Sequence, residues 1–81
     1  MYDFTKFVQD VVASYKKFAI QLDNQNNIIV TADGRTYLIS AEQLRKYYNA
    51  FTTSGTPYIE AVSRTVGIIS QEIDKWYEKW H

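Results

Sequence analysis

The chain is 81 residues long, carries nine Lys+Arg against nine Asp+Glu, and has no cysteine. So short a chain makes one domain with a limited core, which must be densely packed or gain burial from a partner. Disulfides, thiolate metal sites and cysteine nucleophiles are excluded together, and zero net charge removes any bulk attraction to polyanions or anionic membranes.

The first element expected is a helix from Asp3 to about Lys17. Phe4, Phe7, Val8, Val11, Tyr15 and Phe18 recur at helical spacing and give one apolar face. Asp3 suits the N-cap, because its carboxylate can accept from the free backbone N–H groups of the first turn. Val11 and Val12 are mildly unfavourable in a helix, and the face outweighs them.

Ala19 to Ser40 reads as a three-stranded antiparallel meander. Ile20 and Leu22 alternate with Gln21 and Asp23, the stretch 23–27 is a polar turn, and Ile28-Ile29-Val30-Thr31 is β-branched throughout. Asp33-Gly34 is a strong hairpin signal, since a type I′ turn needs positive φ at both central positions. A two-residue loop there pairs Ala32 with Arg35, Thr31 with Thr36, Val30 with Tyr37 and Ile29 with Leu38. Ile28, Val30, Tyr37 and Ile39 then share the face better suited to the core.

Ser40 to Thr53 is expected to be a second helix, opened by a Ser40/Gln43 capping box and striped with Leu44, Tyr47, Tyr48 and Phe51. Gly55 is a plausible stop. Thr56 as N-cap and Pro57 at the first helical position open the last helix. Ile59, Val62, Val66, Ile69, Ile73, Trp76 and Trp80 then follow heptad spacing, the strongest pattern in the chain. Gly67 lies beside this stripe, where it costs about 1 kcal/mol relative to alanine and leaves room for close approach. The expected fold is α+β over residues 1–81: a helix, a three-stranded antiparallel meander and two helices, the helices packed mainly on one sheet face.

No constellation of residues suggests catalysis. The sole histidine, His81, ends the chain, so no serine or threonine has a positioned base. Glu72, Asp74 and Glu78, interleaved with Lys75 and Lys79, read as a solvated helix face. The turn 23–27 lacks the glycine and glutamate that a calcium loop needs at its sixth and twelfth positions, where Ile28 and Gly34 stand. The three glycines are scattered singly and make no phosphate loop. No metal and no cofactor is expected.

The polar stretch 50–59, with Gly55 and Pro57, shows no membrane span. Met1 is followed by Asp3 and an amphipathic pattern rather than a signal peptide. A cytoplasmic setting is the expectation.

Two binding surfaces remain. The end of the last helix offers Ile69, Ile73, Trp76, Tyr77 and Trp80 as an interface for a homodimer or another protein, since interface hot spots are rich in Trp and Tyr. Its rings need cover, either from the first helix or from another chain. The alternative is a nucleic-acid surface of Lys16, Lys17, Arg45, Lys46, Tyr47 and Tyr48, with cations for phosphates and tyrosines for stacking. The expected role is thus a small, non-catalytic, self-associating module with an accessory or regulatory task.

The element order and the stretch ADGRTYLISAEQL (residues 32–44) resemble some small phage-encoded inhibitors of CRISPR nucleases. Those inhibitors often mimic DNA with heavy acidic charge, which this neutral chain lacks, so no residue role is carried across. The resemblance implies at most a regulator from a phage or mobile element.

Overall fold

A computed structural model describes residues 3–79. Its elements run α1 (Phe4–Ser14), β1 (Ala19–Leu22), β2 (Ile28–Ala32), β3 (Arg35–Ile39), α2 (Ala41–Thr53) and α3 (Tyr58–Glu78). The architecture is α+β in the order that the hydrophobic periods require.

The sheet is an antiparallel meander with strand order β1-β2-β3. Its hairpin turn places Asp33 at φ 52° and Gly34 at φ 75°, and the register pairs Ala32 with Arg35 through Ile28 with Ile39 without a bulge. Two-residue period then decides the faces. Ile28, Val30, Ala32 and Ile39 are buried beneath the helices, with Tyr37 half-buried beside them. Thr31, Thr36 and Leu38 point to the open side.

At the β1–β2 turn, Asp23 accepts from the backbone N–H of Gln25 at 2.8 Å and of Asn27 at 2.9 Å, and from the Asn27 amide at 2.9 Å. These bonds, the Asn27 side chain's first, hold the Asp23 carboxyl below its ordinary pKa. The Asn27 side-chain amide oxygen Oδ1 in turn accepts from the Ala41 N–H at 2.7 Å, tying this turn to the start of α2.

The helices differ from expectation at three ends. Asp3 caps α1 as expected, accepting from the Lys6 N–H at 3.0 Å, but the helix stops at Ser14 and not near Lys17. Tyr15 is already extended, which keeps its ring in the core and carries Phe18 away from the helix face. The Tyr15 hydroxyl is buried without a hydrogen-bond partner among the described residues, and this burial, seconded by the charge of Asp74, raises its pKa.

Ser40 caps α2 by accepting from the Gln43 N–H at 3.2 Å. The Gln43 side chain does not return to Ser40; it reaches Tyr47 and Glu72 instead. Gly55, at φ 73°, ends α2 in a Schellman arrangement, with the Thr56 N–H donating to the Phe51 carbonyl and the Gly55 N–H to that of Thr52.

The Thr56 N–H thus closes α2 while its hydroxyl pairs with that of Ser54 at 2.7 Å, and Thr56 does not cap α3. Pro57 takes the N-cap place, with its carbonyl accepting from the Ala61 N–H, and there is no side-chain cap.

A further difference lies along the face of α3. Its buried residues are Ala61, Val62, Thr65, Ile69 and Ile73, whereas Ile59 is 83% exposed. A strict heptad drifts about 20° per repeat on a straight helix, so Ile59, two repeats before Ile73, has rotated out of the packed line. The core is closed by Phe7, Val8, Val11, Leu44, Ile69 and Ile73 against Ile28, Val30 and Ile39. Burying such side chains contributes about 1.5–3 kcal/mol each. Gly67 is exposed, and a Cβ built there meets nothing within 4 Å.

Candidate interaction site

The distal half of α3 brings four rings together from three parts of the chain. Trp76 stacks on Tyr37 of β3, with centroids 5.3 Å apart and planes at 27°. Tyr77 follows 6.5 Å from Trp76 and lies 4.7 Å from Phe18, which the early end of α1 has released toward it. All four rings are half-buried, so each keeps part of its surface exposed. Among the described residues, ring contacts to Trp76 and Tyr77 thus come from β3 and the α1–β1 connection.

Polar groups fix this row in place. The Tyr37 hydroxyl donates to Glu72 Oε2 at 2.5 Å, and Gln43 Nε2 donates to Glu72 Oε1 at 2.6 Å. Glu72 therefore joins β3, α2 and α3, and is not a member of a wholly solvated face. Burial, followed by the Glu72 hydrogen bond and charge, pushes the Tyr37 phenol up to about 12. The Tyr77 hydroxyl donates to Asp33 at 3.0 Å, pinning the hairpin tip to α3; that bond raises the Tyr77 pKa. Lys17 donates to Asp74 at 2.8 Å, and its ammonium lies 5.4 Å from the Phe18 centroid. The Asp74 hydrogen bond raises the Lys17 pKa.

Ile69 and Ile73 are fully buried in the chain's own core and present no surface to a partner. Both stand on the line that packs against the sheet and α1, where a 3.6-residue period places them. Trp76 and Tyr77 remain at the surface, and Trp80, like His81, lies outside the described residues. Sequence spacing did not reveal Phe18, Tyr37 and Glu72 as members of this site. Only the termination of α1 and the sheet register bring Phe18 and Tyr37 to α3, where Glu72 meets the Tyr37 hydroxyl.

The residues considered for nucleic acid are arranged differently. Tyr48 is 8% exposed and meets the rings of Phe4 and Phe7 edge-on, leaving no free face for a base. Tyr47 is half-buried and accepts from Gln43 at 2.9 Å. The Arg45 guanidinium sits 4.1 Å from the Phe4 centroid, Lys17 is engaged with Asp74, and Lys16 and Lys46 are exposed.

A second concave surface runs between α1 and the proximal half of α3. It is a cleft of about 420 Å³ lined by Asp10, Ser14, Tyr58, Ile59, Val62 and Val66. Asp10 accepts from both the Tyr58 hydroxyl and the Lys6 ammonium, which lower its pKa in that order.

Among the described residues, no group of three His, Cys, Asp or Glu could hold a metal ion, and no helix is long and apolar enough to cross a membrane. Compared with known proteins, the chain matches no family model, no curated protein and no solved structure.

Proposed function

We infer that this protein is a small, non-catalytic interaction module that self-associates through the distal end of α3, in an accessory or regulatory role. One observation carries the reading: Tyr37, Trp76, Tyr77 and Phe18 form a contiguous row of half-exposed rings on one small domain. Aromatic side chains in such a setting bury large area on association at low conformational cost, and Trp and Tyr dominate interface hot spots. The polar bonds of Tyr37 and Tyr77 hold two of these rings in fixed orientations, which reduces the entropy lost on binding.

Equal numbers of cations and anions remove net repulsion between copies. Sedimentation velocity up to high micromolar concentration tests the reading. The unaltered chain should shift toward a dimer, and Trp76→Ala should remain monomeric. A chain that stays monomeric over the whole range would sink self-association.

A further inference from the structure

The β3 edge carries an interaction surface that the aromatic row alone does not define. Next to a two-residue hairpin the flanking pair, Ala32 and Arg35, is hydrogen-bonded, and the pairs then alternate along the ladder. Val30/Tyr37 and Ile28/Ile39 are thus bonded pairs, while Thr31/Thr36 and Ile29/Leu38 are not. The N–H and C=O groups of Thr36 and Leu38 therefore point off the free side of β3. No described backbone group bonds to them, because β3 pairs only with β2.

Sheet edges are commonly blunted by lysine, proline or a bulge. Over its five residues β3 has none of these, and its single charge is Arg35 at one end. Leu38 beside the open groups is 56% exposed. The other edge is less inviting: β1 has four residues, is bracketed by Lys16, Lys17 and Asp23, and lies against α1.

We propose that β3 is the pairing edge for a second copy of this chain, antiparallel about a two-fold axis at Tyr37, giving one continuous six-stranded sheet. Thr36 then bonds with the partner's Leu38, and Leu38 with the partner's Thr36, completing the four groups that each edge leaves open. The proposal rests on the self-association reading and names its contact.

Charge placement favours a second copy as occupant. Each Arg35 falls opposite the partner's Ile39, so the two guanidinium groups start four residues apart, about 13 Å along the strand. That exceeds the screening length of about 8 Å at physiological salt. Beyond the strand ends, the Asp33 turn of one copy approaches the start of the partner's α2, where a carboxylate is favourable. Tyr37 belongs both to this edge and to the aromatic row, so pairing brings the two Tyr37–Trp76 stacks together beneath the joined sheet. A five-residue edge with these rings is smaller than a standard interface of about 800 Å² per partner, so the association is weak and concentration-dependent.

Two measurements decide the matter. Leu38→Pro removes an N–H that no backbone bond among the described residues uses, and proline is tolerated on an edge. With folding checked by circular dichroism, this variant should sediment as a monomer at concentrations where the unaltered chain dimerises. Leu38→Lys serves the same purpose if the proline variant fails to fold. Because the chain contains no cysteine, Thr36→Cys and Leu38→Cys each introduce a unique thiol. Oxidising the two variants together should give a disulfide-linked pair, since bonded partners lie about 5.5 Å apart at Cα. Each variant oxidised alone should give at least tenfold less.

A dimer unaffected by the Leu38 substitutions, or Thr36→Cys linking to itself as readily as to Leu38→Cys, would overturn β3 pairing and leave self-association standing. A chain that is monomeric at every concentration would remove both.

Discussion

The two ends of α3 handle their apolar side chains in opposite ways. At the proximal end, Ile59 is 83% exposed at the rim of a cleft, beside a part-buried Tyr58–Asp10 bond and an exposed Lys6–Asp10 ion pair. At the distal end, Trp76 and Tyr77 lie against Tyr37 and Phe18, and their neighbouring carboxylates accept hydrogen bonds from phenols. The same helix with the same apparent repeat thus has a loosely covered beginning and an interlocked end. Periodicity describes how side chains are arranged about a helix axis, whereas cover depends on what the rest of the chain places beside them.

The contrast can be broken most severely from the middle of the helix. Ile69 is fully buried, so Ile69→Ala should lose about 2–5 kcal/mol in chemical denaturation, through lost transfer energy and the cavity left behind. This effect should loosen both ends together.

A smaller and more local loss is expected at the distal end. Tyr37→Phe removes the bond to Glu72 and should cost about 1 kcal/mol near neutral pH. It should also alter the alkaline behaviour. The folded-state pKa of Tyr37, about 12, lies above the 10.0 of an unperturbed tyrosine, so the folded state holds this proton more tightly than the unfolded state. The resulting stability is fully present below pH 10 and is lost as pH rises toward about 12. Urea melts across that window should show a shallower decline for Tyr37→Phe; identical slopes would remove Tyr37 as the source.

The smallest effect belongs to the proximal end. Ile59→Gln should change stability by no more than about 0.5 kcal/mol, because almost nothing packs on the side chain it removes. A larger thermal shift would mean that Ile59 is covered in solution and that the two ends are alike.

Much of this architecture could be read before any coordinates, because the relevant signals are local. Asp33-Gly34 determines a two-residue turn, the turn determines the register, and the register assigns Ile28, Val30, Tyr37 and Ile39 to one face. The Ser40 cap and the Gly55 stop are likewise short-range chemistry. Long-range effects decided the rest. Nothing between Ser14 and Phe18 is a glycine or proline, so the early end of α1 has no local punctuation. Pro57 could have occupied either of two adjacent places, and the closing bonds of α2 settled which. Of the site, Trp76 and Tyr77 were visible as surface rings, whereas Ile69 and Ile73 were drawn into the core. Phe18, Tyr37 and Glu72 were invisible because contacts made 29 or more positions apart leave no periodic trace.

The Asn27 side chain has a consequence for cooperativity. It accepts from the first N–H of α2 while donating to Asp23, so one amide serves both the β1–β2 turn and the start of a helix fourteen residues later. Opening that turn strands an N–H of α2, and unwinding the start of α2 strips the turn of an anchor. A single side chain thus couples the opening of the β1–β2 turn to the fraying of the first turn of α2.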